Sequence, residues 1–185
     1  MNRMASRMRV ACFALAAALL AGVTPAGAAN LWVAYGTGVT GYTLTGSGQN
    51  KGLTVTGTPI SVSGSFGGFT NAFSLTTDTP GNVYVGDAGG NRVLKFNASG
   101  VYQGFFGLPS DTAGGNINPQ QIEIDNAGNL YTVGFGGAIY KFNSLSPNGS
   151  TLPTTPWATI AGAMGIAIKG TDMYVTTPAL RVPGL

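Results

Sequence analysis

The sequence predicts an all-β protein, and three observations support this. Charged residues make up only 8% of the chain, which argues against coiled coils and long amphipathic surface helices. After residue 29 no helical period of apolar residues appears, whereas short runs alternate apolar and polar residues. The 30 glycines and 10 prolines mark frequent turns between these runs. Together they indicate antiparallel strands with one buried face.

The N-terminal segment has the layout of a secretory signal peptide. Three arginines in the first ten residues precede the apolar stretch 10–23, and small residues follow it. We expect residues 1–29 to form a signal helix that is cleaved after Ala28 or Ala29. The mature protein is then secreted or periplasmic, without a stable membrane span. An uncleaved N-terminal anchor is the alternative.

Composition excludes several classes of function for the mature chain, 30–185. Three of the nine basic residues lie in the signal peptide, so six basic and six acidic residues remain and the mature chain is near neutral. No cluster of Lys and Arg predicts a nucleic-acid partner. The chain has no His, and Cys12 lies in the signal peptide. Disulfides, Cys/His zinc sites, thiolate nucleophiles and His general bases are therefore excluded.

Four segments of the mature chain repeat one pattern, in which Asn or Asp opens a β-branched and aromatic run. The sequence Lys-Phe-Asn also recurs, at 95–97 and 141–143. Each unit is predicted to form a strand, a tight turn, a second strand, a turn and a third strand. The four opening residues are Asn30, Asn82, Asn129 and Asp172.

A small sheet repeated every 40–50 residues or so is typical of a β-propeller blade. Residues 30–185 are predicted to hold about three and a half four-stranded blades, an incomplete propeller, since propellers close with about 4–8. We expect a C-terminal truncation; closure by self-association or a small open stack of sheets are the alternatives. Apolar side chains predicted between the sheets are Val83, Val85, Val93, Phe96, Ile122, Ile124, Tyr131, Ile139, Phe142, Ile166 and Ile168.

One segment carries a family resemblance. The run Pro80-Gly-Asn-Val-Tyr-Val-Gly-Asp-Ala-Gly-Gly-Asn-Arg-Val-Leu-Lys-Phe-Asn-Ala-Ser-Gly100, followed by Gly104-Phe-Phe-Gly107, is similar to an NHL repeat. The third repeat lacks the Asp and Arg of the pattern, with Gly134 and Ala138 near those positions. The first and fourth match only in their hydrophobic skeleton. The resemblance implies a propeller of NHL type, usually with about six blades.

Asp87, Asn91 and Arg92 form the polar signature of the second repeat. An Arg beside an Asn on a propeller rim can grip a carboxylate or phosphate. In the structural interpretation, Asp87 and Asn91 close the hairpin turn and Arg92 pairs locally. We favour the structural interpretation and keep the three residues as candidate binding residues.

Glu123, the only Glu, points away from Ile122 and Ile124 if this run is a strand. In a propeller this strand lines the central channel, where propeller lactonases hold a divalent metal. Calcium takes six or more oxygen ligands, and the corresponding positions of the other repeats offer no second carboxylate. We expect Glu123 to be solvated channel lining, a candidate for binding at most. No catalytic residue, metal or cofactor is predicted.

Two further patterns have a structural and a functional interpretation. Residues 125–129 superficially resemble a calcium loop but lack its spacing, and are predicted to form a hairpin turn. The region 40–70 is predicted to hold the outer strand of the first blade, with a flexible insertion as alternative, and 145–155 to be a loop. Several aromatic side chains can pack between blades or stack on sugars, and we favour packing: Tyr35, Tyr42, Phe66, Phe69, Phe105, Phe106 and Trp157.

The sequence therefore favours a secreted, non-catalytic binding scaffold for a protein or glycan partner on the propeller rim. The alternative is a fragment of a metal-dependent propeller enzyme, lactonase- or lyase-like, whose catalytic residues lie partly in missing blades. An enzyme is the less favoured of the two because the mature chain has no His and a single Glu.

Overall fold

The structure is a computed structural model. The predicted signal peptide before Ala29, the chain after Pro178 and most of the predicted loop 145–155 lie outside the residues it describes. The described residues are 29–45, 54–109, 117–143, 145, 147, 153 and 155–178.

All regular secondary structure in the described residues is β-strand, which confirms the predicted all-β class. No helix in this part of the chain is long and apolar enough to cross a membrane. The strands are β1 (Ala29–Tyr35), β2 (Gly38–Thr45), β3 (Thr54–Ser61), β4 (Ala72–Thr77), β5 (Val83–Asp87), β6 (Arg92–Phe96), β7 (Tyr102–Gly107), β8 (Pro119–Ile124), β9 (Leu130–Gly134), β10 (Ala138–Phe142), β11 (Ala158–Thr159), β12 (Gly165–Lys169) and β13 (Asp172–Thr176).

The strands form four antiparallel sheets in which each strand pairs with its neighbours in the chain. Sheet 1 holds β1–β3, sheet 2 holds β4–β7, sheet 3 holds β8–β11 and sheet 4 holds β12 and β13. Strand β3 lies inside the region 40–70, so the predicted outer strand of the first unit is confirmed. The first strands of sheets 2, 3 and 4, which we call the inner strands, contact one another in chain order.

Short hairpins set the register of each sheet. In sheet 3, Asp125 N–H donates to Asn129 O (3.0 Å) and Gly128 N–H donates to Asp125 O (3.0 Å), which closes the turn between β8 and β9. Gly128 has a φ of 80°, a conformation that glycine adopts without a steric cost. The β-branched and aromatic residues on both sides then pair as strands. The predicted hairpin at 125–129 is confirmed.

The core lies between the sheets, in three separate apolar clusters. Trp32, Val83 and Phe96 belong to the cluster between sheets 1 and 2, and Ile122 and Phe142 to that between sheets 2 and 3. A smaller cluster between sheets 3 and 4 contains Tyr131, Val133, Ile139, Ala163 and Ile166. Nine of the eleven predicted core residues are buried. The other two, Ile124 and Ile168, pack against a cluster at partial exposure.

Candidate functional site at the upper end of the sheets

The sheets have two chemically different ends. We call the end where the inner strands begin the upper end, and the end with the hairpin turns 78–82, 125–129 and 170–171 the lower end. At the upper end, the turn of each sheet bonds to the segment that leads into the next sheet, which holds neighbouring sheets together. Three N–H donors make this contact: Ala72 to Gly36 O (2.5 Å), Asn118 to Asn91 Oδ1 (3.1 Å) and Ile160 to Gly137 O (3.0 Å).

The candidate residue Asp87 lies at the upper end of β5 and is fully buried. Its Oδ1 accepts hydrogen bonds from the backbone N–H groups of Thr70 (2.9 Å) and Asn71 (2.7 Å). Its Oδ2 lies 3.0 Å from Nε of Arg92, with which it forms an ion pair. A buried carboxylate needs such partners to offset the loss of water. Asp87 therefore anchors the loop that leads into sheet 2.

The candidate residues Arg92 and Asn91 also bond inside the chain. Arg92 donates from Nη1 to Phe66 O (3.2 Å) and from Nη2 to Gly68 O (2.6 Å). Asn91 donates from Nδ2 to Leu108 O (2.9 Å). Each nitrogen of the guanidinium group thus has a partner within the protein. This geometry favours the structural interpretation of Arg92 over capture of an external anion.

Glu123 lies on β8 and links three inner strands. Its carboxylate accepts hydrogen bonds from the Thr76 hydroxyl on β4 and from the backbone N–H of Ile168 on β12. Ile122 and Ile124 pack toward sheet 2, as the alternation predicts. Burial raises the pKa of Glu123, and the two hydrogen bonds counteract part of that rise. Glu123 is therefore a half-buried link between sheets rather than the solvated lining that the sequence suggests.

The residues around Glu123 do not form a recognisable metal centre. In the part of the chain that the structure describes, no three His, Cys, Asp or Glu side chains cluster in a way that could hold a metal ion. Two buried hydroxyl oxygens, Ser74 Oγ and Thr132 Oγ1, have no hydrogen-bond partner within these residues. Hydroxyls add no negative charge, so these two do not complete an oxygen site for a hard cation.

The lower end is built on charged networks. The carboxylate of Asp125 accepts hydrogen bonds from the N–H (2.8 Å) and Nδ2 (2.6 Å) of Asn129, the hydroxyl of Tyr131 (3.1 Å) and the N–H of Ala127 (3.0 Å). Burial acts to raise the pKa of Asp125, but these bonds together lower it below its ordinary value. Lys141 Nζ lies 5.4 Å from the centre of the Tyr131 ring, a cation–π contact.

The same network occurs earlier in the chain, with its Asp, Asn and Tyr displaced by 47 residues and its Lys by 46. Asp78 accepts hydrogen bonds from the N–H (2.8 Å) and Nδ2 (2.8 Å) of Asn82 and from the hydroxyl of Tyr84 (3.0 Å). Lys95 Nζ lies 5.4 Å from the centre of the Tyr84 ring. Burial, followed by the hydrogen bond to Asp78 and its charge, raises the pKa of Tyr84 well above its usual range. Sheets 2 and 3 are thus repeats in side-chain chemistry as well as in strand order.

Large apolar side chains are exposed at the upper end. Tyr35, Phe73, Phe135 and Met164 are 59%, 41%, 76% and 55% exposed, and Ile160 beside them is 39% exposed. The predicted packing role is wrong for Tyr35. Trp157 is 55% exposed on the side of sheet 3, but its ring packs edge-on against the buried Tyr131, with ring centres 5.6 Å apart. The packing role is right for Phe69 and Phe106, which are buried, and Phe66 and Phe105 pack against the core at partial exposure.

Sequence reasoning missed Phe73, Phe135 and Met164 as exposed residues. Phe73 lies where the register of β4 shifts against β5, between Ala72 and Ser74. An unpaired residue at such a bulge can direct its side chain away from the sheet. Phe135 lies in the β9–β10 turn and is followed by two glycines. The same Phe-Gly-Gly sequence at 66–68 contains the packed Phe66, so this sequence does not predict an exposed aromatic side chain.

Charge is unevenly distributed between the two ends. Among the described residues, the charged side chains of the upper end are Asp87 and Arg92, which neutralise each other. The other described charged residues lie toward the lower end: Asp78, Lys95, Glu123, Asp125, Lys141, Lys169 and Asp172. Within the described residues, the upper end therefore combines exposed apolar side chains with no net charge, and it is the candidate binding surface.

Comparison with known proteins adds no relative. No protein-family model matches the chain, and no curated protein matches it. The similarity of residues 80–107 to an NHL repeat therefore rests on those residues themselves.

Proposed function

We propose that the chain is a secreted, non-catalytic binding module built as part of a β-propeller of NHL type. The observation that supports binding is the upper end, where large apolar side chains are exposed and the two described charged residues, Asp87 and Arg92, neutralise each other. Soluble proteins rarely expose such groups together unless they bind something there. The propeller architecture is supported by face-to-face packing of successive sheets through their inner strands and by the sequence of residues 80–107.

The polar groups favour binding over catalysis. Arg92 and Asp87 are engaged with each other and with the backbone, and Glu123 has no described carboxylate partner for a metal. A lactonase- or lyase-like enzyme needs such a centre. The enzyme alternative therefore depends on residues outside the described part of the chain.

We also propose that copies of the chain self-associate through β1. This strand pairs only with β2 among the described residues, whereas β5 and β9, its equivalents in sheets 2 and 3, each pair on both sides. A free strand edge is a template for pairing with another chain. Analytical ultracentrifugation tests this: we expect a concentration-dependent shift to oligomers, and a monomer at every concentration contradicts it.

Binding by the upper end is tested by oriented immobilisation of the full chain. In a Cys12→Ser background, Ala127→Cys attaches the protein by its lower end and Thr37→Cys by its upper end. The two surfaces are exposed to purified neutral polysaccharides, acidic polysaccharides and extracellular proteins. We expect saturable retention of at least one of these on the Ala127→Cys surface and a strong loss of it on the Thr37→Cys surface.

Three results would contradict this proposal. One is that no compound is retained on the Ala127→Cys surface. Another is equal retention in both orientations. The third is chemical conversion of a retained compound together with a melting temperature raised by Ca²⁺ or Zn²⁺, which favours the enzyme, since a metal bound only by the folded state stabilises it.

A further inference from the structure

Strand β1 ends at the upper end in an aromatic side chain that is held in place. Tyr35 is 59% exposed, yet its hydroxyl lies 3.3 Å from Oγ1 of Thr40 on the neighbouring strand. Its ring lies against the backbone of Gly38, where an added Cβ would be 2.7 Å from Cε2 and Cζ of the ring. One face of the ring therefore rests on a glycine while much of the side chain stays accessible to solvent. A rigid aromatic side chain loses little conformational entropy when a ligand stacks on it.

The surroundings of Tyr35 are open. A Cβ added at the next residue, Gly36, would meet no atom within 4 Å. The backbone bond between Gly36 and Ala72 brings the start of β4 beside this turn, and with it Phe73, the exposed residue of the bulge. Two accessible aromatic side chains thus lie on adjacent sheets at the upper end.

The polar groups near these aromatic residues are uncharged. Thr37, Thr70 and Asn71 are exposed on the turns around Tyr35 and Phe73. The ion pair of Asp87 and Arg92 points inward to the loop backbone. Hydroxyl and amide groups beside aromatic rings suit a ligand that presents C–H surfaces and hydroxyl groups. The absence of clustered cations in the described part of this end disfavours nucleic acids and anionic lipid surfaces.

We infer that the upper end binds a neutral glycan, with Tyr35 as a stacking platform and Phe73 beside it. This inference rests on the proposed function and names its partner class and the residues that recognise it. A sugar ring packs its C–H face on the tyrosine ring, and the hydroxyl groups of the sugar bond to the neighbouring threonine and asparagine side chains. Phe135 and Met164 extend the surface over sheets 3 and 4.

The test is calorimetric titration of the full chain with cello-, malto-, manno- and chito-oligosaccharides, and with alginate as an acidic glycan. We expect binding of at least one neutral oligosaccharide. Tyr35→Ala should weaken it by about tenfold or more, the scale of one lost aromatic stacking contact. Tyr35→Phe should keep the affinity within about threefold, because the ring remains.

Two more variants separate stacking from general damage. Gly38→Ala keeps the tyrosine but pushes its ring off the backbone, and we expect an affinity loss close to that of Tyr35→Ala. Trp157→Ala removes an equally exposed aromatic side chain away from the upper end and should leave the affinity unchanged. The melting temperature of each variant shows that its fold is intact.

The outcomes distinguish this inference from the proposed function. Equal affinity of Tyr35→Ala and Trp157→Ala overturns the stacking role. Binding of alginate alone, or retention of a protein alone on the Ala127→Cys surface, overturns the neutral glycan while the binding-module proposal stands. If neither a glycan nor a protein binds the upper end, both proposals fail.

Discussion

The upper turns of sheets 2 and 3 contact the segment that leads into the inner strand in chemically different ways. In both, the turn must hold the segment that leads into the inner strand. In sheet 2 the side chain of Asp87 reaches Thr70 and Asn71 in that segment. In both sheets the next residue also makes a backbone bond to the segment, from the N–H of Ala88 to Asn71 O (2.8 Å) and from the N–H of Phe135 to Ile117 O (2.6 Å). In sheet 3, however, the position equivalent to Asp87 is Gly134, which has no side chain to add a second contact.

The absence of a side chain at Gly134 leaves room for the side chain of Ile117. An added Cβ would lie 2.0 Å from Cγ2 of Ile117 and 3.0 Å from its carbonyl oxygen. The buried Ile117 therefore lies where a side chain at position 134 would begin. A repeat can therefore lose its polar signature and keep its architecture if an apolar contact replaces the ion pair.

The two turns also differ in what they expose. After Asp87 comes Ala88, which is buried, whereas after Gly134 comes Phe135, the most exposed large apolar residue described. The turn that contains the ion pair thus exposes no large apolar side chain, whereas the turn that follows Gly134 presents an aromatic ring to solvent. The repeat without the Asp and Arg pair is thus the one that exposes an aromatic side chain at this turn.

Breaking the ion pair should have the largest effect. Asp87→Ala leaves two backbone N–H groups and Arg92 without their acceptor, so we expect a loss of about 3–5 kcal/mol in the free energy of unfolding. Urea denaturation measures it. The double variant Asp87→Gly with Arg92→Ala, which copies Gly134 and Ala138, should lose less than the sum of its parts. A loss under about 1 kcal/mol for Asp87→Ala would show that the pair does not anchor the loop.

The second largest loss of stability is expected from adding a side chain at Gly134, in the upper turn of sheet 3. Gly134→Ala forces Ile117 away, and overpacking of this kind costs about 1–3 kcal/mol. Gly36→Ala is the matched control, because it has a positive φ of 52° but open space around its Cβ, and it should cost only about 1–2 kcal/mol of backbone strain. Thermal unfolding compares them. If Gly36→Ala is the more damaging, steric contact with Ile117 is not what Gly134 avoids.

Removal of the tyrosine hydroxyl at the lower end should reduce the free energy of unfolding equally in sheets 2 and 3. Tyr84→Phe and Tyr131→Phe each remove one hydrogen bond to a carboxylate, which we expect to cost about 1–2 kcal/mol. Tyr174→Phe, an exposed tyrosine on sheet 4, should change stability by less than about 0.5 kcal/mol. Urea titration of the three variants checks this. A clear difference between the first two would mean that the lower turns have diverged as the upper ones have.

The smallest effects should appear as opposite pH dependences of stability. The pKa of Asp125 is lowered in the folded state, so its contribution is present above the ordinary value for Asp and is lost as pH falls through the lowered one. The pKa of Glu123 is raised, so its contribution is present below the ordinary value for Glu and is lost as pH rises through the raised one.

Two isosteric variants should reveal these opposite pH dependences of stability. Asp125→Asn should lose stability relative to the parent at neutral pH and converge with it in strong acid. Glu123→Gln should gain relative to the parent as pH rises above the ordinary value for Glu. Melting temperatures across the acidic range measure both. Parallel curves for Glu123→Gln and the parent would mean that Glu123 is as well solvated when folded as when unfolded.

Much of the fold could be predicted because alternation and turn residues act locally. Val83 and Val85 share one face of β5 whatever packs against it, and the turn at Gly128 closes through its own backbone. The exposed surface could not be predicted in this way. Whether Tyr35 is buried or exposed depends on which sheet lies beside it, and the position of Phe73 depends on a bulge set by pairing with β5.

By itself the sequence determined the all-β class, the repeat and most of the core, because strand periodicity and turn conformation are properties of a few neighbouring residues. It also excluded disulfides and histidine chemistry from residues 30–185, which contain no Cys and no His. Tertiary structure alone decided that Arg92 points inward, that Glu123 joins β4 and β12, and that Gly134 admits Ile117. Each of these depends on contacts between distant segments, whose geometry exists only once the sheets have packed.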